Sequence, residues 1–151
     1  MKRPLLTAVA ALIIGFAVPS IAQAQNTVAP EVGQQIEAVA TQLLEAYNKH
    51  DAAAAAAFYT DDAIRVGDWP GAVFVGRKAI EKDFAEFFAA TMPPIVGKTV
   101  QMYSIEDRIV VISECSGGIF NGHTMKIYFR DGDTWKVRME FVTSTQRSQQ
   151  R

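Results

Sequence analysis

Cysteine and histidine are scarce in this chain of 151 residues, which contains one cysteine and two histidines. With Cys115 alone, no disulfide can form within the chain. His50 and His123 lie far apart in the sequence and lack the spacing of metal ligands. We therefore predict no metal site. Nothing in the residue pattern calls for a cofactor, and none is predicted.

An excess of charge of either sign is also lacking, because 15 basic residues nearly balance 16 acidic ones. The basic residues are scattered and form no tract along the chain. Proteins that bind nucleic acid usually concentrate lysine and arginine on one face or in one segment. The sequence therefore predicts no nucleic-acid partner.

The first residues form a separate segment, with a basic start at Lys2 and Arg3 and an apolar run over residues 5–18. Ala-Gln-Ala follows at 22–24. The run is shorter than the roughly 20 apolar residues that a membrane-spanning helix needs. We predict a secretory signal peptide at residues 1–24, no stable membrane anchor after its removal, and a periplasmic or secreted bacterial protein.

Residues 25–144 are predicted to form one folded domain, and residues 145–151 a polar tail. Pro30 suits the first turn of a helix. Its apolar stripe repeats every three or four residues: Val32, Ile36, Val39, Leu43 and Tyr47. Asp51 is the predicted cap of a short alanine-rich helix, and Gly76 precedes a third helix.

The rest of the chain has strand patterns. Short strands are predicted at 63–66 and 73–75, and a hairpin joins 99–105 to 108–115. Asn121-Gly122 is predicted to be a second tight turn. Three helices with a curved antiparallel sheet make an α+β fold.

The last two strands form a ribbon around Asp131-Gly132-Asp133. A three-residue loop, with Phe129 facing Asp133, gives this ribbon one apolar face and one polar face. Seven large side chains are predicted on the apolar face: Met125, Ile127, Phe129, Trp135, Val137, Met139 and Phe141. The opposite face carries Lys126, Tyr128, Arg138 and Glu140.

Several segments together resemble the nuclear-transport-factor-2-like superfamily, in particular its SnoaL-like and DUF4440-type bacterial members. The segments that carry this resemblance follow the family's order: Tyr47-Asn48-Lys49-His50-Asp51, Phe58-Tyr59-Thr60-Asp61-Asp62-Ala63, Gly76-Arg77-Lys78-Ala79-Ile80, Arg130-Asp131-Gly132 and Trp135-Lys136-Val137. The resemblance implies a cone fold, with three N-terminal helices packed on a curved, mixed and mainly antiparallel sheet.

In such folds the concave sheet face and the helices enclose a conical pocket, and the convex face commonly pairs two subunits. The resemblance therefore implies a homodimer and turns the polar ribbon face inward. The expected function is binding of a small, partly apolar ligand with an acidic or carbonyl group. The expected ligand-binding residues are Lys126, Tyr128, Arg138, Tyr47 and Trp69.

Two alternatives remain open at this point. One is an enzyme of the isomerase, hydrolase or dehydratase type, with Glu140 or Asp68 as base. The ketosteroid-isomerase branch has an oxyanion tyrosine, an acidic hydrogen-bond donor and a carboxylate base. The positions of this sequence that correspond to them are occupied by Leu43, Lys126 and Gly67, so the chain departs from that pattern. Asp68, next to Gly67, could serve as the base only after a shift of one residue. The other alternative is a homo-oligomeric assembly module whose cone is filled by side chains.

The signal-peptide prediction is checked by mass spectrometry of protein recovered from outside the cytoplasm. We expect the chain to begin at Gln25, because cleavage follows the small-x-small site at 22–24. Exported protein that still begins at Met1 would contradict it.

Overall fold

The computed structural model describes residues 27–89, 93–117 and 120–144. The predicted signal peptide at 1–24 and the predicted tail at 145–151 lie outside the described residues. The helices of the described part are α1 (Pro30–Asn48), α2 (Ala52–Ala56) and α3 (Arg77–Phe88). Its strands are β1 (Tyr59–Gly67), β2 (Val73–Val75), β3 (Val96–Ile105), β4 (Arg108–Gly117), β5 (Phe120–Asp131) and β6 (Thr134–Ser144).

All six of these strands belong to one sheet, in the order β2-β1-β6-β5-β4-β3. Strands β1 and β6 pair in parallel, and every other neighbouring pair is antiparallel. The predicted α+β fold, with a curved, mixed and mainly antiparallel sheet, is confirmed. No described helix has both the length and the apolar content needed to cross a membrane.

The helices begin where the sequence predicts. Pro30 occupies the first turn of α1, where the missing backbone N–H costs nothing. The Asp51 carboxylate accepts a hydrogen bond from the backbone N–H of Ala54 and thereby caps α2. Gly76 precedes α3 with φ of +87°, a conformation that residues with a Cβ rarely adopt.

Two sequence-based boundaries are wrong. Strand β1 begins at Tyr59 rather than at residue 63, because Tyr59 already pairs with Val137 on β6. Asn121-Gly122 lies inside β5 rather than in a turn, since Gly122 pairs with both Cys115 and Ser144. A Cβ at Gly122 would lie 1.8 Å from the carbonyl oxygen of Thr143, so a glycine is needed there for close strand packing.

The final ribbon differs from the prediction in its register. Asp131 pairs with Thr134, so the turn has only two residues, with Gly132 at φ of +61°. Tyr128 pairs with Val137, which places an odd position opposite an even one. The predicted three-residue loop, with Phe129 facing Asp133, is therefore wrong.

Further from the turn, a β-bulge restores the predicted pairing of odd positions with odd ones and even positions with even ones. Tyr128 pairs with Val137 but Ile127 pairs with Met139, so Arg138 is the extra residue. On the turn side of the bulge, Trp135 and Val137 are buried. Beyond the bulge, the buried residues of β6 are at even positions, Glu140 and Val142. The prediction of seven apolar groups on one face is therefore wrong for Trp135 and Val137.

The core lies between the helices and the concave face of the sheet. Its largest fully buried side chains come from both layers: Tyr59, Tyr128, Phe84, Ile36, Ile80, Val111 and Val137. Ala55 and Ala56 of α2 are fully buried, so this helix packs closely against its neighbours. The convex face keeps Met125, Met139 and Phe141 more than 40% exposed.

Candidate functional site

The carboxylate of Glu140 lies buried in the concave face and accepts hydrogen bonds from three side chains. The Tyr59 hydroxyl donates to Oε2 at 2.7 Å, and Arg65 Nε donates to the same oxygen at 3.0 Å. Lys126 Nζ lies 3.0 Å from Oε1. Strand β6 stands between β1 and β5, which brings these donors to Glu140 from both sides. A buried carboxylate needs such partners.

Arg65 links this carboxylate to helix α3. Its register partner on the parallel strand is Glu140, and its Nη1 donates to the Asp83 carboxylate. The guanidinium carbon also lies 5.2 to 5.9 Å from three aromatic ring centroids, those of Trp69, Phe74 and Phe84. Cation–π contacts of this kind favour the charged form of a desolvated arginine.

The protonation states follow from this network. Burial alone would raise the pKa of Glu140, but Lys126, Arg65 and the hydrogen bond from Tyr59 lower it to about 2. Burial also acts against the charge of Lys126, yet Glu140 raises the pKa of this ammonium group. Burial raises the pKa of Asp83, against the opposing effect of Arg65. The network therefore holds a carboxylate and two cations in their ionised forms.

Tyr128 stands apart from the network although it lies beside Lys126. Its hydroxyl is the one buried side-chain polar atom without a hydrogen-bond partner among the residues that the structure describes. Burial raises the pKa of Tyr128 to about 12, against the opposing effect of Lys126. The group is therefore a neutral hydrogen-bond donor at neutral pH, and its desolvation is uncompensated.

These groups line a cavity of about 380 Å³ between α1, α3 and the sheet. Its wall contains a cluster of four charged side chains, those of Arg65, Asp83, Lys126 and Glu140. Much of its remaining wall is apolar or aromatic: Leu43, Leu44, Tyr47, Phe84, Phe87, Ile95 and Val142. A volume of this size and a few convergent polar groups are typical of small-molecule sites.

Most of the sequence-predicted site residues line this cavity: Glu140, Lys126, Tyr128, Tyr47 and Trp69. Tyr47 packs edge-on against Phe84 and Phe88, with ring centroids 5.5 and 4.7 Å apart. Asp68 is not a lining residue, and its carboxylate accepts a hydrogen bond from the backbone N–H of Ser144 at 2.8 Å. Leu43 and Lys126, at the donor positions of the ketosteroid-isomerase branch, both line the cavity.

The prediction that Arg138 points into the cavity is wrong. Arg138 is the bulged residue of β6, and its half-exposed side chain forms an ion pair with Asp62 at 2.6 Å. Its guanidinium lies over the Phe129 ring, 4.9 Å from the centroid. The extra residue shifts the alternation of side chains along β6 by one position, so Arg138 lies on the opposite face of the sheet from Glu140.

Sequence reasoning missed three members of the site, namely Tyr59, Arg65 and Asp83. The predicted strand at 63–66 contains Arg65 but leaves Tyr59 outside it. Their contact with Glu140 depends on the parallel pairing of β1 with β6, which local patterns do not reveal. The sequence does contain a signal for Asp83, which lies between Ile80 and Phe84 on the buried face of α3. A carboxylate on such a face indicates a buried polar contact.

Within the described ranges, no group of three or more His, Cys, Asp or Glu residues is placed to hold a metal ion. Two of the carboxylates that line the cavity, those of Asp83 and Glu140, are paired with cations.

A family model described as the SnoaL-like domain matches residues 40–147. No curated protein matches the chain. Among solved structures, a ketosteroid isomerase-like protein from Erwinia carotovora atroseptica is 21% identical, with a TM-score of 0.66 over 78% of this chain and 98% of that one. An NTF2-like protein of unknown function from Pseudomonas putida is 17% identical, with a TM-score of 0.65 over 78% and 89% of the two chains.

A third similar structure is a candidate scytalone dehydratase from Novosphingobium aromaticivorans. It is 16% identical, with a TM-score of 0.64 over 76% of this chain and 85% of that one. Likenesses at this level of identity show the fold, and a shared fold hosts unrelated activities.

Replacing Glu140 by glutamine tests the network through the pH dependence of stability. The folded pKa of about 2 lies below the ordinary 4.5, so the stabilisation from Glu140 is complete above pH 4.5 and lost as the pH falls toward 2. We expect Glu140→Gln to lower the free energy of unfolding by about 3 kcal/mol at neutral pH. The difference from the unmodified protein should shrink below pH 4.5.

Urea unfolding at several pH values measures both quantities. Glu114→Gln is the matched control, because its side chain is exposed and forms only a long ion-pair contact with His123, at 4.0 Å, so the change should affect stability little. If both variants lower the free energy of unfolding equally at neutral pH, the stabilising role of the Glu140 network is contradicted.

Proposed function

Because the chain belongs to the SnoaL-like domain family, we propose that its conical cavity binds a small, partly apolar molecule that bears an acidic or carbonyl group. The observation that carries this proposal is the hydroxyl of Tyr128, which is buried, unpartnered and next to the cavity. A buried donor without an acceptor costs about 1 to 3 kcal/mol. An oxygen acceptor on the ligand would recover that cost.

The proposed ligand is partly apolar because of the opposite wall. Tyr47, Phe84 and Phe87 present aromatic rings, and Leu44 adds an aliphatic surface. The rings of Tyr47 and Phe84 are packed against each other, which holds this wall in place. A ligand with a compact apolar body and one oxygen function satisfies both sides of the cavity.

An enzyme of the isomerase, hydrolase or dehydratase type is the second proposal. The observation in its favour is Asp83, because this carboxyl lines the cavity and burial raises its pKa, which makes it a better proton acceptor. Glu140 suits a base less well, since three donors and a pKa of about 2 make it a weak proton acceptor. Asp68 would first have to release the Ser144 amide.

We further propose that a second copy of the chain covers the convex sheet face. Met125, Met139 and Phe141 form an exposed apolar patch there, with Met125 and Phe141 directly paired across strands. Tyr103 on β3 extends it toward the edge of the sheet. Exposed apolar patches of this kind commonly mark interfaces, and pairing of like faces gives a symmetric dimer.

Replacing Tyr128 by phenylalanine tests the ligand contact. We expect the affinity for acetophenone, a small ketone, to fall about five- to tenfold, because one hydrogen bond is lost. Stability should not fall, since the variant removes an unsatisfied hydroxyl. Isothermal titration and thermal unfolding measure the two effects. Tyr103→Phe, on the convex face, is the control, and an unchanged acetophenone affinity in Tyr128→Phe would overturn the proposed contact.

The dimer proposal is tested by sedimentation. Met139→Glu should yield monomers at micromolar concentration, because it places a charge in the centre of the proposed interface. Ala85→Glu, on the exposed side of α3, is the control and should leave the mass unchanged. If the unmodified protein is itself monomeric at micromolar concentration, the proposal fails.

A further inference from the structure

Both cations of the cavity are already neutralised by protein carboxylates. Lys126 contacts Glu140, while Arg65 contacts Glu140 and Asp83. Two positive charges therefore meet two negative charges within one network. A ligand carboxylate would have to displace a protein carboxylate from these partners, and it would leave a buried charge unpaired.

Two further carboxylates, those of Glu37 and Glu86, line the cavity from α1 and α3. Both residues are exposed, and Glu86 has a distant ion-pair contact with Lys82 at 3.7 Å. The charged side chains that line the cavity are therefore four acidic and two basic ones. An anion that enters this cavity meets net repulsion.

Uncharged hydroxyl groups occupy the adjacent part of the sheet. Thr99 pairs with Ser113, and Ser113 pairs with Thr124, so these three side chains form one row across β3, β4 and β5. All three line the cavity. Directly paired residues have Cβ atoms about 5 Å apart, and each hydroxyl can donate or accept a hydrogen bond. Lys126 contacts only the last of them, at Thr124 Oγ1.

We infer that the cavity selects an uncharged ligand with two oxygen functions and rejects carboxylates. One oxygen accepts a hydrogen bond from Tyr128, and the other meets the hydroxyl row of Thr99, Ser113 and Thr124. Glu140 determines this specificity, because it holds both cations and leaves no positive charge for an anionic ligand. The inference rests on the proposed binding function and narrows its acidic or carbonyl ligand to the uncharged class.

Three probes of similar shape separate the possibilities at neutral pH. Acetophenone has one oxygen, para-(hydroxymethyl)acetophenone has two, and para-(hydroxymethyl)benzoate replaces the ketone by a carboxylate. Isothermal titration should give the tightest binding for para-(hydroxymethyl)acetophenone, about threefold better than acetophenone. The benzoate should bind at least about tenfold more weakly than its ketone counterpart.

Two sets of variants test the assigned residues. Thr99→Val combined with Ser113→Ala should abolish the difference between the two ketones, whereas Ser116→Ala, exposed on the other face of β4, should preserve it. Glu140→Gln should raise the affinity for the benzoate about tenfold, because Lys126 and Arg65 then share one carboxylate fewer.

If Glu140→Gln does not fold, the double variant Glu37→Gln and Glu86→Gln provides the same test at exposed positions. It should raise the affinity for the benzoate about two- to threefold at low salt and less at high salt. Failure of both the Glu140 variant and this pair to improve benzoate binding would overturn the assignment of selectivity to these carboxylates.

The outcomes distinguish the inferred selectivity from the proposed binding function. If the unmodified protein binds the benzoate as tightly as the ketones, the inference is overturned and the proposed binding function stands. If none of the three probes binds at millimolar concentration, the proposed binding function falls, and the inference falls with it.

Discussion

The buried carboxylate of Glu140 is the interaction on which the rest of the site depends. Three donors from β1 and β5 converge on its two oxygens. Arg65 then extends the network to α3 through Asp83. The same contacts that satisfy the buried charges also join the sheet to α3. The network therefore contributes both to the stability of the fold and to the geometry of the site.

The sequence predicted those features that local patterns determine. The apolar stripe of α1, the cap at Asp51 and the hairpin of β3 and β4 are all confirmed. Alternation along β5 correctly placed Lys126 and Tyr128 on one face. These features depend on neighbours within a few residues, so periodicity and turn chemistry contain the necessary information.

The features that the sequence did not reveal depend on distant pairings. A bulge at Arg138 exchanges the inner and outer faces of β6, and no local pattern distinguishes a bulge there from a longer turn loop. The parallel pairing of β1 with β6 brings Arg65 to Glu140, although the two lie 75 residues apart in the chain. Arg65 therefore replaces Arg138 as the second cation of the site.

The parallel pairing of β1 with β6 also bears on the order of folding. Contacts between residues so far apart require the closure of a long loop, and the entropic cost of that closure delays them relative to local hairpins. The hairpins among β3, β4, β5 and β6 can form early, whereas the Glu140 network needs the first and last strands together. The cavity is thus among the last parts of the described structure to be assembled, and a nascent chain acquires it only after β6 has been synthesised.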